Sequence, residues 1–249
     1  MDVNVPVFVI NLDRSRDRLE PWSRFEDVHR ISAVDGSKLD VASDPRISIR
    51  TKNLVMKTGD RLDHFDINSR GAIGCYLSHV KACQMIVDRR IPIAIVCEDD
   101  LSVQKVPARY TKLSDYIFDN LSPKDLGDLT VINPNPWFTS YKPFKFVGTH
   151  CVIWTEEGAQ KFLSVCFPIE GHVDHVLSTL SELGVMDIRP AKIKGLNQNI
   201  VKFGSTISHN SIKCVTRTGT LFYVIIALCI VVIATMFVIR KNSKFLCGP

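Results

Sequence analysis

Apolar residues in this chain alternate between short unbroken runs and longer stretches with a three-to-four-residue period, which predict strands and helices in turn. Val5–Asn11 (VPVFVIN) is a β-branched run with Pro6 near its start and reads as a short buried strand. A helix capped by Ser15 follows, running to about Phe25, with Arg14, Arg16 and Arg18 around its first turn. His29–Val34 is a second strand, closed by the turn signal Asp35-Gly36. Residues 40–70 alternate only weakly and read as irregular connection. From Ile73 through Asp88 the apolar positions keep a helical period. Ile91–Cys97 (IPIAIVC) is then continuous, as expected of a central parallel strand covered on both faces. Leu129–Asn133 predicts another strand ahead of the Pro-rich loop at Pro134–Trp137. Phe144–Trp154 predicts a longer strand, and Glu156–Val165 a helix capped by Thr155. Strands alternating with helices define an α/β domain, with one doubly wound sheet as the expected architecture.

One stretch fits neither pattern. Leu221–Ile239 runs 19 residues without a charge. As a helix it would cover roughly 28 Å, close to the bilayer core of about 30 Å. A buried core helix is amphipathic, whereas this run is apolar on every side, so a single transmembrane helix is expected there. The amino terminus begins Met-Asp, has no basic segment ahead of its apolar run, and so does not read as a signal peptide. With so few residues after Ile239, tail-anchoring with the preceding domain in the cytosol is the expected arrangement. Residues 208–219 read as a polar linker and 240–249 as a short basic tail.

Charge narrows the function. The chain carries 31 Lys plus Arg against 26 Asp plus Glu. Arg240, Lys241 and Lys244 lie in or beyond the apolar tail, leaving residues 1–219 with 28 bases against 26 acids. A domain so near neutrality lacks the basic face that nucleic-acid binding needs, so no nucleic-acid partner is expected. The 8 cysteines are scattered without a C-x-x-C pair, which argues against a zinc module and for buried free thiols in a reducing compartment.

The densest chemistry is Cys97-Glu98-Asp99-Asp100, three carboxylates at the carboxyl end of the most apolar strand. Ligands bind at that edge in open α/β sheets. Adjacent acids repel, so they protonate, splay into water as a solvated turn, or share a divalent cation; an all-oxygen set suits Mn²⁺ or Mg²⁺. His172-x-x-His175 has helical metal spacing, but a single pair is insufficient.

Four ordered motifs, Ile10–Arg18 (INLDRSRDR), Arg30–Gly36 (RISAVDG), Gly71–His79 (GAIGCYLSH) and Ile93–Asp100 (IAIVCEDD), resemble glycosyltransferase family 25. That group contains lipooligosaccharide and procollagen galactosyltransferases. The resemblance continues through Gly148–Leu163, Pro168–Leu177 and Gln198–Ile207, so that residues 1–207 read as the catalytic domain. It implies a GT-A-type, Rossmann-like fold and a UDP-sugar donor. It further implies an inverting, metal-dependent transfer to a glycan, lipid-linked or protein acceptor. Glu98 and Asp100 would hold the metal, with Asn11, Arg14, Arg18, Asp35, Gly36 and Asp99 on the donor side. Asp174 matches the acid expected as catalytic base. Two departures, Cys151-Val152-Ile153 in place of a tyrosine-bearing strand and Gly127 in place of a tryptophan before Asp128, fall on the acceptor side or its packing. Arg14, Arg16 and Arg18 read equally as a solvated helix face, and His79 as a satisfied, partly buried histidine. A catalytically silent family member displayed on a membrane as a binding protein is the alternative from another class.

Overall fold

β1 (Val7–Asn11) is buried along its whole length, and the computed structural model shows why. Its alternate residues enter two different cores. Phe8 and Ile10 pack with one cluster, Val7 and Val9 with the other, so no position faces water. The structure describes residues 5–58, 66–134 and 146–198. The apolar segment at 221–239, the linker and the basic tail lie outside the described residues. Among the described residues, no helix is long and apolar enough to cross a membrane.

After β1 the chain forms a 3₁₀ segment at Asp13–Trp22 and then β2 (Val28–Ser32). A one-turn helix, α1 (Ile49–Asn53), is followed by a π turn at Leu54–Thr58, and the long α2 covers Arg70–Asp88. β3 (Ile93–Glu98), a two-residue β4 (Leu101–Ser102) and α3 (Leu113–Asp119) follow. The remaining elements are β5 (Leu129–Ile132), β6 (Cys151–Thr155), α4 (Glu156–Val165), α5 (Val173–Glu182), β7 (Ile188–Ala191) and β8 (Asn197–Gln198). Six strands make one sheet in the order β2-β1-β3-β6-β5-β7, and β4 pairs with β8 in a separate ribbon.

The sheet is parallel-rich but mixed, which fits the expected Rossmann-like α/β class, with β6 as the antiparallel exception. β6 runs antiparallel to both β3 and β5, while β1 with β2, β1 with β3, and β5 with β7 are parallel. A parallel return needs a crossover of a dozen or more residues, usually a helix, and no described helix separates β5 from β6. β3 nevertheless lies centrally, as its unbroken apolar run requires. Ala94 and Val96 face the core under α2, α4 and α5, where Trp154 and Phe162 meet at 5.5 Å between ring centroids. Ile95 and Cys97 face the core closed by Trp22, Phe25, Leu113 and Ile117.

Four local expectations change. Ser15 does not cap a helix: it sits at φ −122°, ψ 35°, inside a 3₁₀ segment whose N-cap is Leu12. Regular α-helix fails there because Pro21 removes a donor and Asn11 Nδ2 takes the Ser15 carbonyl at 2.7 Å. The strand expected over Phe144–Trp154 is confined to Cys151–Thr155, because Gly148 turns the chain at φ +93°. Phe144 itself lies outside the described residues. Within 40–70, α1 is capped by Ser48, which accepts from the Thr51 amide at 3.1 Å. α2 starts at Arg70, earlier than Ile73, because Ser69 accepts the Ala72 amide at 3.2 Å. Thr155 caps α4 as expected, accepting from Gly158 at 3.0 Å.

Candidate active site

The first turn of α2 presses on the loop that follows β2, and this contact shapes the site. A methyl group on Gly74 would come within 2.6 Å of the Val34 carbonyl, and one on Gly36 within 1.8 Å of the Arg70 carbonyl. Glycine at both positions lets the backbones touch. Ser78, one turn on, receives the Val34 amide at 2.9 Å and donates to the Gly74 carbonyl at 2.7 Å. Asp35 accepts from the Ser37 amide at 3.0 Å and closes the turn.

Beside this contact lies a cleft of about 290 Å³ at the carboxyl ends of β1 and β3. Arg14, Arg18, Asp35, Gly36, Glu98 and Asp99, six of the expected site residues, all line it. They come from three separate motifs, and Gly71 and Cys75 of the fourth complete the wall. Arg14 is paired with Asp35, and that guanidinium, followed by Ser37, holds the Asp35 carboxyl down to about 2. Arg16, in contrast, is 70% exposed, and among the described residues it reaches only Asp13, at 3.9 Å.

The three adjacent acids have three different surroundings. Asp99 turns inward, accepting from Asn11 Nδ2 at 2.8 Å and Arg18 at 3.1 Å. Asn11 is 1% exposed, accepts from Arg30 Nε at 2.9 Å and stands behind the cleft as a hub rather than on its wall. Glu98 accepts from Thr149 Oγ1 at 2.9 Å and faces His79 Nε2 at 3.3 Å. Burial opposes its ionisation, but the His79 and Thr149 contacts outweigh it and hold the carboxyl below its usual range. Asp100 is bonded through one oxygen to Gln198 of β8 at 2.9 Å, while the buried Oδ1 has no hydrogen-bond partner among the described residues. Burial, then the Glu98 charge, pushes its carboxyl up to about 7. By donor chemistry the two carboxyl groups, all-oxygen ligands, could hold Mn²⁺ or Mg²⁺, whose charge would favour the ionised form of Asp100.

Asp174 lies in the first turn of α5. Its Oδ2 accepts the Gly148 amide at 2.8 Å and its Oδ1 the His175 amide at 2.9 Å. It is not on the cleft wall, yet its charge reaches Cys75, which is. Three residues not singled out from sequence, Gly148, Thr149 and His150, join the two carboxylates. Gly148 meets Asp174, Thr149 meets Glu98, and the His150 carbonyl receives the Glu98 amide at 3.0 Å. Their signal in the sequence was Gly148, a glycine interrupting an apolar run. His79 is 1% exposed rather than partly buried. The His172 and His175 rings lie 5.8 Å apart between centroids, tilted at 58°, and among the described residues they join no metal-holding group. The described cysteines, Cys75, Cys83, Cys97, Cys151 and Cys166, are free thiols.

Residues 4–122 match the family described as glycosyltransferase family 25 (LPS biosynthesis protein). Procollagen galactosyltransferase 2 of Homo sapiens is 32% identical over 119 residues, covering 45% of this chain and 18% of that protein. The Mus musculus protein of the same name is 33% identical over 102 residues, covering 38% of this chain and 15% of its own length. The chain thus aligns with less than a fifth of these relatives. The matches support that family and a glycosyltransferase, and the family match takes in every residue of the cleft wall. Thr149 and Asp174 lie beyond it.

Proposed function

We propose that this chain, whose amino-terminal half matches glycosyltransferase family 25, transfers a hexosyl group, galactose or similar, from a UDP-sugar to a glycan, lipid-linked or protein acceptor. The single observation carrying this reading is the convergence of four sequence-distant motifs on one cleft at the carboxyl edge of a parallel-rich sheet. We read the fold as GT-A-type and residues 1–207 as the catalytic domain.

In this reading Arg14 and Arg18 meet the donor diphosphate, to which guanidinium forks are suited. Asp35 and Gly36 border the nucleotide, and Asn11 acts through Asp99 and Ser15 by fixing the loop that carries both arginines. Glu98 and Asp100 hold Mn²⁺ or Mg²⁺, which when bound offsets charge on the diphosphate leaving group. Asp174, fixed by two backbone amides, accepts the proton of the attacking acceptor hydroxyl, and displacement from the opposite face inverts the anomeric centre. Leu221–Ile239 would anchor the enzyme by a single pass, with the catalytic domain in the cytosol.

Titration of the protein with UDP in the presence and absence of Mn²⁺, followed by a hydrolysis screen over UDP-sugars, tests the reading. Metal-dependent UDP binding and selective hydrolysis of one donor are expected. Absence of UDP binding both with and without Mn²⁺ would support the silent binding protein instead. The anchor is tested by alkaline carbonate extraction, which should leave the protein in the membrane pellet.

A further inference from the structure

Cys75 and His79 stand about one turn apart on α2, and Glu98 meets them from the end of β3. The Cys75 sulfur, a ring nitrogen of His79 and a Glu98 carboxylate oxygen all lie within 4.8 Å of one another. His79 Nε2 is 3.3 Å from Glu98 Oε1, while the buried Nδ1 has no hydrogen-bond partner among the described residues. The Nε2–Oε1 contact is a long hydrogen bond. Two ligands held about 2.0–2.1 Å from a tetrahedral ion stand roughly 3.3 Å apart, so the same spacing also accommodates two ligands sharing one cation.

We propose that Cys75, His79 and Glu98 form a three-ligand site for Zn²⁺, with the fourth position open to the cleft. The sulfur–nitrogen–oxygen set selects a borderline-soft ion, because Mg²⁺ and Mn²⁺ take oxygen ligands. Cys75 and Glu98 both line the cleft, which provides the entry path and the open position. Burial, with the charges of Glu98, Asp174 and Asp100, pushes the Cys75 thiol well up, so it is protonated without metal. On binding, the S–H bond breaks, the sulfur pair goes to zinc and one proton leaves to solvent. Glu98 is also a ligand in the proposed donor site, so zinc and the oxygen-bound ion exclude one another there. Zinc binding itself does not depend on the donor reading.

The test uses the full chain with Cys214, Cys229 and Cys247 replaced by serine, stripped of metal and titrated with Co²⁺ without nucleotide. One cobalt per chain is expected to bind with release of one proton, giving a thiolate-to-cobalt charge-transfer band and the strong visible bands of four-coordinate cobalt, both bleached when Zn²⁺ replaces cobalt without further proton release. Cys75→Ser should abolish the charge-transfer band and weaken zinc about 100-fold or more, beyond the loss of an outer partner. Cys75→Ala provides a second variant should serine disturb packing, and His79→Gln should weaken zinc similarly. Cys97→Ser is the control, since that thiol lies 3.5 Å from Cys151 and offers the competing sulfur site. Absence of the band in the folded parent, its survival in folded Cys75→Ser or Cys75→Ala, or its loss in Cys97→Ser would each overturn the proposal. Mn²⁺-dependent UDP binding by the zinc-free Cys75 variants is read separately, so failure of one site does not count against the other.

Discussion

Thr149 donates to Glu98 at 2.9 Å, and that bond ties the proposed metal carboxylate to the segment that also holds Asp174. The two acids come from sequence positions far apart, yet the Gly148–His150 turn fixes both. Thr149→Val keeps the shape and removes the hydroxyl. A hydrogen bond to a charged group is worth about 1.5–3 kcal/mol, so metal-dependent UDP affinity should fall about 10- to 150-fold. The measurement is UDP titration at fixed Mn²⁺, with thermal unfolding as the check that the fold survives. An unchanged affinity would reduce Thr149 to packing.

The arginines separate by what they touch. Arg18→Ala leaves Asp99 with Asn11, and Arg14→Ala leaves Asp35 with Ser37, but each removes a proposed diphosphate contact and should raise the donor KM by about 10- to 150-fold. Arg16→Ala should do nothing measurable, because Arg16 points to solvent. Equal effects at all three positions would make the cluster a solvated face.

Gly74→Ala tests the close approach that shapes the cleft. Its methyl would meet the Val34 carbonyl and the Gly36 amide below 3 Å, both backbone atoms with no easy retreat. Overpacking of this kind costs about 1–3 kcal/mol, and it should lower both melting temperature and UDP affinity. Lowered stability with intact UDP binding would mean the turn is not part of the donor site.

Why some of this was legible in sequence and some not follows from the range of each interaction. β1 and β3 announced themselves because strands covered on both faces must be apolar throughout, and α2 and α4 because their buried faces repeat within the element. Strand direction is not local: β6 runs antiparallel because of how the chain returns, which Cys151–Thr155 alone does not encode. The acid triplet was visible as a group, but its division was not. Asp99 is claimed by Arg18 and Asn11, Glu98 by Thr149 and His79, and Asp100 by Gln198, partners scattered across the chain. Cys75-x-x-x-His79 carried helical ligand spacing, but its third member arrives from another element.

Asp100→Asn should act oppositely on stability and function. In the metal-free fold the Asp100 carboxyl is raised from 3.8 to about 7, so the native state holds a proton that the unfolded chain has lost in that window. Its contribution is therefore fully present below 3.8 and is lost as pH rises through about 7. Asparagine abolishes this dependence. The variant should match the native protein in acid and exceed it above neutrality by about 4 kcal/mol, at about 1.4 kcal/mol per tenfold change in proton affinity. Thermal melts in chelator across that range measure it. Transfer should fall about 100-fold or more, as for loss of one electrostatic stabiliser. Normal metal-dependent UDP binding by this variant would exclude Asp100 from the metal site.

Asp174→Asn isolates the proton-transfer role, because this carboxylate is held apart from the donor wall. Its oxygens accept from Gly148 and His175, and an asparagine oxygen retains one of those bonds. The turn carrying Thr149 should keep its position, and with it Glu98 and the metal. UDP affinity, with and without Mn²⁺, should remain within about twofold of the native protein. Transfer to acceptor should fall about 10²- to 10⁴-fold, the range for a positioned general base. A structural role would show the reverse: donor affinity and melting temperature would drop together, and transfer would decline only as far as donor binding did. Asp174→Glu sharpens the contrast, since it restores a base at a displaced position and should recover part of the transfer rate. Should asparagine leave transfer intact, the base is another group, and the acids facing Cys75 would have to be tested in turn.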